Sequence, residues 1–253
     1  MLYPEIMRRA LLACYALLAT GSALTFAQTD SAAVEQARHV ILIIGDGMDD
    51  QQITIARNYL AGAGGRLLLD DMPLRSTSQV MTIEDKIGGK PIYVADSANT
   101  ATTMASGVIT SRGRIATTAG DNQPIRTIVE MAEAAGYKTG IVSTASVTDA
   151  TPASFAAHIS LRLCENPETM LDITYKDIYL GNCLSERKAE GGLGSIAEQL
   201  ASSDLDVILG GGMKHFSMAV EGGTVSVADT AVDNGFQLLT SRAELASASH
   251  DKR

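Results

Sequence analysis

A serine, an arginine and a set of oxygen donors stand at places in this chain where an attack on phosphorus could be carried out. Ser97 follows Asp96 at the head of the Ala/Thr-rich stretch Asp96-Ser97-Ala98-Asn99-Thr100-Ala101-Thr102-Thr103-Met104-Ala105-Ser106-Gly107, directly after the apolar run Pro91-Ile92-Tyr93-Val94-Ala95. That pattern predicts a strand and then a helix, with Asp96 as N-cap and Gly107 just past the end. Ser97 then lies in the first turn, where unpaired N–H groups and the positive end of the helix dipole favour an anion and would favour an oxyanion on the serine. Taken alone, the stretch reads equally well as a capped helix whose small residues serve close packing.

Asp46 comes after the run His39-Val40-Ile41-Leu42-Ile43-Ile44, which predicts a central parallel strand buried on both faces, and sits inside Gly45-Asp46-Gly47-Met48. It is thereby placed at the carboxyl end of a strand, where open α/β sheets hold their ligands. An aspartate between glycines is also an ordinary turn residue. Directly behind a buried strand, however, a carboxylate needs a partner, and a divalent cation is a common one. Asp149 and Thr151 follow another expected strand, Lys138–Ser143. There Thr151 fits a helix N-cap and Pro152 the first helical position, which by itself accounts for Thr151. His158 and Arg162 are four residues apart, so one helical face would present them together. A histidine on such a face is ordinarily structural, whereas the planar fork of Arg162 suits two phosphate oxygens.

Serine attacks phosphorus poorly near neutral pH unless something takes its proton, and no histidine stands near Ser97 in the sequence. A divalent metal can lower the pKa of the hydroxyl while a second ion stabilises the leaving oxygen. Asp46, Asp149 and Thr151 carry the hard oxygens that Mg²⁺ prefers, and a shared carboxylate such as Asp46 can bridge two ions.

The elements that must position these groups alternate. Asp49 and Asp50 open a helix that runs to the Gly62–Gly65 break, Ser76–Met81 is a weaker strand, and Gly107–Asn122 is a loop with Arg112 and Arg114 solvated. Pro124 begins a helix that ends at Gly136, Gly194–Ala201 is a short amphipathic helix, and Leu205–Leu209 is a strand before the turn Gly210-Gly211-Gly212. A further strand at Gly235–Leu239 and a short helix from Ser241 close the chain. This order predicts an α/β fold, doubly wound, with a mostly parallel central sheet and helices on both faces.

The 253 residues and 45% apolar content suffice for one such domain with a sizeable core. Net charge of −9, 4% aromatics and no Trp exclude the interleaved basic and stacking residues of a nucleic-acid binder. A phosphate ester would have its charge met locally instead. Arg8 and Arg9 before the apolar run Ala10–Ala19 resemble a secretory signal peptide over residues 1–27, followed by a polar linker, 28–38. The apolar run is too short for a membrane anchor, so the expected location is periplasmic or extracellular. Export leaves Cys164 and Cys183, for which one disulfide, contributing about 3 kcal/mol on a chain-entropy estimate, is the natural reading in an oxidising compartment. Two buried free thiols are the alternative.

In order and spacing, Gly45-Asp46-Gly47-Met48, Asp96-Ser97-Ala98 with its Ala/Thr-rich helix, and Asp149-Ala150-Thr151-Pro152-Ala153 leading to His158 and Arg162 resemble the alkaline phosphatase family from about His39 through Gly212. The resemblance implies a phosphoseryl intermediate on Ser97, Asp46 bridging a zinc and the magnesium, Thr151 as a magnesium ligand and Asp149 as a magnesium-site residue. It implies Arg162 as the phosphate clamp with Asp96 holding its guanidinium, phosphate monoesters as substrates, and a homodimer when full length. The family also uses zinc and magnesium ligands from a second half that residues 39–253 do not supply. A truncated, catalytically weak or silent phosphate-binding fragment is therefore the rival expectation, and a sulfate-ester or phosphodiester hydrolase a third.

Overall fold

A computed structural model describes residues 39–249 and 251–253. The expected signal peptide (1–27) and linker (28–38) lie outside the described residues. The chain divides into two units, residues 1–45 and 46–253. Of the first, residues 39–45 run without helix or strand, and Val40, Ile41 and Ile43 are largely exposed. The buried strand expected at His39–Ile44 is thus not formed among the described residues. An apolar run becomes a central strand only where neighbours complete its hydrogen-bond ladder, and none of the described strands pairs with it.

The second unit begins with α1 (Asp50–Ala61), capped as expected: Asp49 accepts from the N–H of Gln51 and Gln52, and Gln52 accepts from the Asp49 N–H. Strand β1 (Thr82–Ile83) pairs antiparallel with β2 (Pro91–Ile92). Both are shorter than the apolar runs Ser76–Met81 and Pro91–Ala95 predict, and β1 lies just beyond the first of them. Helix α2 (Ser97–Ser106) follows. Helix α3 (Ile128–Ala134) starts from Thr127 and not from Pro124, because Thr127 and Glu130 form a reciprocal capping box. Pro124 instead belongs to a bridge with Thr117.

Strand β3 (Gly140–Ser146) leads into α4 (Ala150–Ala153), and the antiparallel hairpin of β4 (Ile173–Tyr175) and β5 (Ile178–Gly181) comes next. After it come α5 (Ile196–Ala201), capped by Ser195, and β6 (Val207–Gly211), which pairs parallel with β3 in the register Ile141 to Ile208. This parallel pair, with helices before and after each strand, is the α/β frame that carries the site. Three short helices, α6 (Met213–Phe216), α7 (Val227–Asp233) and α8 (Arg242–Ala246), complete the order. Gly235–Leu239 is not a strand. The N–H groups of Gly235 and Phe236 turn back to close the end of α7 on Val232 and Ala231.

Helix α2 packs on α4, and α5 packs on α7 through Ala197, Ala201 and Val227. Ala98, Ala101, Ala150, Ala153 and Ala157 are buried, small enough for close approach, and Ile115, Ile159, Ile196, Leu200 and Leu205 are fully buried. Cys164 and Cys183 form the expected disulfide, and both are buried. Arg114, expected to be solvated, is only 4% exposed. Its guanidinium bonds Asp85 at 2.7 Å, Asn122 at 2.6 Å and Ser111 at 3.0 Å, so the Gly107–Asn122 loop folds around a satisfied cation.

Candidate active site

Ser97 is the first residue of α2, and its neighbours are fixed from both sides. Asp96 Oδ1 accepts from the Asn99 N–H at 3.1 Å while Asn99 Oδ1 accepts from the Asp96 N–H at 2.8 Å. The helix can lie buried despite its hydroxyls because they return to carbonyls one turn back, as with Thr100 on Asp96, Thr103 on Asn99 and Ser106 on Thr102. Gly107, with φ 74°, ends it in the left-handed conformation that glycine adopts without strain.

Arg162 comes to Ser97 from a distant segment. Its Nη1 donates to Ser97 Oγ at 2.6 Å and lies 3.5 Å from Asp96 Oδ2, while Nη2 lies 3.8 Å from Asp149 Oδ1. Its backbone N–H donates to Gly113 O at 2.7 Å, and the Gly113 N–H donates back to the Asp96 carboxylate. The guanidinium is therefore held between two carboxylates with its fork against the serine.

Helix α4 is capped by Asp149, not by Thr151, which stands at the second helical position with Pro152 at the third. The turn closed by the Asp149 N–H on Ser146 O starts the helix earlier than proline placement predicts. Asp149 makes no side-chain cap bond, so its carboxylate is left for Arg162. Thr151, relieved of capping, donates from Oγ1 to Asp46 Oδ2 at 2.8 Å. A fully buried Ser154 hydroxyl ties α4 to α2, donating to Ala150 O at 2.8 Å and lying 3.3 Å from Ala98 O.

His158 and Arg162 do not share a helical face. Beyond α4 the N–H groups of Phe155 and Ala156 close tighter turns on Pro152 and Ala153, and those of His158, Ile159 and Arg162 go to Gln199 Oε1, Ile115 O and Gly113 O. His158 turns to Glu130 and the Ala116 carbonyl, away from the serine. Asp46, Thr151, Asp149, Arg162, Ser97 and Asp96 are thus joined in one run of neighbouring groups. The sequence gives no role to Thr148, Glu165, Asn166 and His215, which form a linked set next to Asp149 in which all but the partly exposed Glu165 are buried. Its one sequence signal is Gly210-Gly211-Gly212, where a Cβ on Gly212 would meet Ser146 Oγ at 2.1 Å.

The donor set fits magnesium. Asp46 and Thr151 place two hard oxygens 2.8 Å apart with Asp149 two residues away, and Mg²⁺ needs only one or two carboxylates because it keeps several waters. It does not fit zinc. Among the described residues no three His, Cys, Asp or Glu side chains converge, and His158 and His215 each face a glutamate at 3.0 Å.

A family model described as alkaline phosphatase matches residues 37–253. The chain belongs to the alkaline phosphatase family. It is 40% identical over 223 residues to the streptomycin-6-phosphate phosphatase of Streptomyces griseus, covering 87% of this chain and 47% of that one. It is also 40% identical over 227 residues to the alkaline phosphatase of Escherichia coli (strain K12), covering 88% and 46%. The chain spans about half the length of these relatives. Among solved structures, a cold-active alkaline phosphatase from a psychrophilic Shewanella matches with a TM-score of 0.56 at 28% identity, covering 81% of this chain and 42% of that one. The Thermus thermophilus alkaline phosphatase matches with a TM-score of 0.57 at 25% identity, covering 83% and 37%. The fold is accordingly the α/β fold of alkaline phosphatases.

Proposed function

We propose that this chain carries the nucleophile, the phosphate clamp and a magnesium site of an exported, metal-dependent phosphomonoesterase. The observation that supports it most directly is the 2.6 Å contact of Arg162 with Ser97 at a helix N-terminus, flanked by Asp96 and Asp149. In this reading two oxygens of a phosphate monoester take the fork of Arg162 and lie over the N–H groups of α2. Ser97 Oγ attacks phosphorus as the bond to the leaving oxygen breaks, the serine proton ends on that oxygen so that an alcohol departs, and the phosphoryl group rests on the serine until water releases it as inorganic phosphate and restores the hydroxyl. Arg162 and the helix terminus offset the negative charge on the serine oxygen before attack and on the phosphoryl oxygens after it. Asp96 keeps the guanidinium oriented through both steps. Asp46, Thr151 and Asp149 would hold magnesium, which when bound supplies positive charge and an ordered water shell beside the serine. No step is assigned to zinc. Export rests on the signal-like residues 1–27, and among the described residues no helix is long and apolar enough to cross a membrane. A homodimer is part of the same reading for the full-length protein.

A second reading, a phosphate-binding chain with little turnover, is favoured by the lack of a zinc-competent cluster among the described residues. Hydrolysis of p-nitrophenyl phosphate with and without added magnesium and zinc, beside Ser97→Ala, separates the two. The first reading expects turnover that falls at least about 1,000-fold in Ser97→Ala, the scale of losing an activated nucleophile. Turnover that survives the substitution would sink the mechanism, while absent turnover with tight phosphate binding would favour the second reading.

A further inference from the structure

Behind the turn that carries Asp149 lies a closed set of polar side chains that the reaction as proposed leaves unused. Thr148, the residue before Asp149, is fully buried, and its hydroxyl donates to Glu165 Oε2. The same oxygen lies 3.0 Å from His215 Nε2, and His215 Nδ1 lies 2.8 Å from Asn166 Nδ2. The orientation of that amide is fixed, because Asn166 Oδ1 already accepts the N–H groups of Glu168 and Thr169, each at 3.0 Å. An amide nitrogen only donates, so His215 Nδ1 must accept. The ring proton is therefore on Nε2, the nitrogen that lies against Glu165. Burial also pushes the His215 pKa down, which agrees with a neutral ring.

The direction of every proton in the set follows. Thr148 spends its only hydroxyl proton on Glu165, so the Ser146 hydroxyl, 2.7 Å away, donates to Thr148. The backbone is pinned at the same place, with the Val147 N–H on Gly211 O at 3.1 Å and the Asp149 N–H on Ser146 O at 3.1 Å. Glu165 thus reaches from the segment after Arg162 to the turn between β3 and α4.

We propose that Glu165, backed by His215 and Asn166, is a positioning residue that fixes Thr148 and thereby sets where the Asp149 carboxylate and the Thr151 hydroxyl stand. This rests on the reading of Asp149 and Thr151 as magnesium ligands. Groups that orient metal ligands from behind typically change metal affinity without touching the ion.

The test is Mg²⁺ affinity of the full chain by titration calorimetry, for the unaltered protein, Glu165→Ala, Thr148→Val, the double variant, Thr148→Ser and Asp149→Asn. Glu165→Ala and Thr148→Val are each expected to weaken binding about 10-fold, with the double variant no weaker than either. Thr148→Ser, which keeps the hydroxyl, retains the unaltered affinity. Should Glu165→Ala not fold, Glu165→Gln carries the test, with a clear loss supporting the role and none overturning it. Unchanged affinity in Glu165→Ala beside a loss in Asp149→Asn overturns the positioning role and leaves the site reading standing. Fully additive losses in the double variant also overturn it. No loss in Asp149→Asn overturns the site reading and this inference together.

Discussion

Two histidine–glutamate pairs in this chain share the same 3.0 Å contact between Nε2 and a carboxylate, yet they are opposite in what the other ring nitrogen meets. At His158, Nδ1 faces the Ala116 carbonyl at 2.9 Å, an acceptor only, so that nitrogen carries a proton. Nε2 then faces the Glu130 carboxylate, another acceptor, and the contact needs a second proton within the pair. Burial pushes the Glu130 carboxyl up, but the Thr127 N–H and His158 outweigh it and hold it below the usual glutamate range. At His215 the Asn166 amide donates to Nδ1, so the one ring proton stays on Nε2, beside Glu165. The lesson is that the charge of a histidine–carboxylate pair is set by the group on its far side. The His158 pair clamps α3 to the Ala116 turn, while the His215 pair stands behind Asp149.

The largest effect that would sharpen this contrast is on stability. Glu165→Ala leaves the fully buried Thr148 hydroxyl without its carboxylate acceptor and should cost about 1 to 3 kcal/mol in urea unfolding. A cost no larger than that of Glu130→Ala would break the comparison. Next, Asn166→Asp replaces a donor by a charged acceptor and makes the His215 surroundings like those of His158. The His215 pKa should rise in an NMR titration, and an unchanged value would mean that the amide does not set the tautomer. A smaller effect is expected for Glu130→Gln, about 1 kcal/mol in urea, because Glu130 is partly exposed and water can replace what is lost.

The smallest effect is the order of acid loosening. His215 faces Glu165, Lys214 and Asp149, and its folded-state pKa lies below the unfolded value of about 6.5. Its contribution is therefore complete above about pH 6.5 and is lost as pH falls below it. The lowered Glu130 pKa makes its contribution complete above about pH 4.5 and lost only below that. Hydrogen exchange during mild acidification should accelerate at the β3–α4 turn before α3. The reverse order would contradict both assignments.

Legibility in the sequence tracked the reach of the interaction. The caps at Asp49 and Asp96 were readable because each closes on a residue three positions away. Thr127 was passed over because Pro124 offers a competing start, and only the Glu130 side chain returning to the Thr127 N–H decides between them. The run His39–Ile44 has the composition of a central strand, but composition cannot supply the neighbours that make one. His158 and Arg162 have helical spacing, yet tertiary acceptors took their backbone bonds and sent the two side chains to different partners.

The sequence by itself determined which residues can attack, clamp and ligate, the motif order that marks an alkaline phosphatase, and the serine's place at a helix N-terminus. Only the tertiary structure decided that Thr151 meets Asp46 across 105 residues, that Arg162 rests on Ser97 across 65, and that Arg114 is buried. It also decided which nitrogen of His215 holds the proton. Caps and helix starts are bonds between near neighbours in the chain, so local residue types fix them. Convergence, burial and tautomer depend on donors and acceptors that folding brings from far along it, and no window of sequence contains both partners.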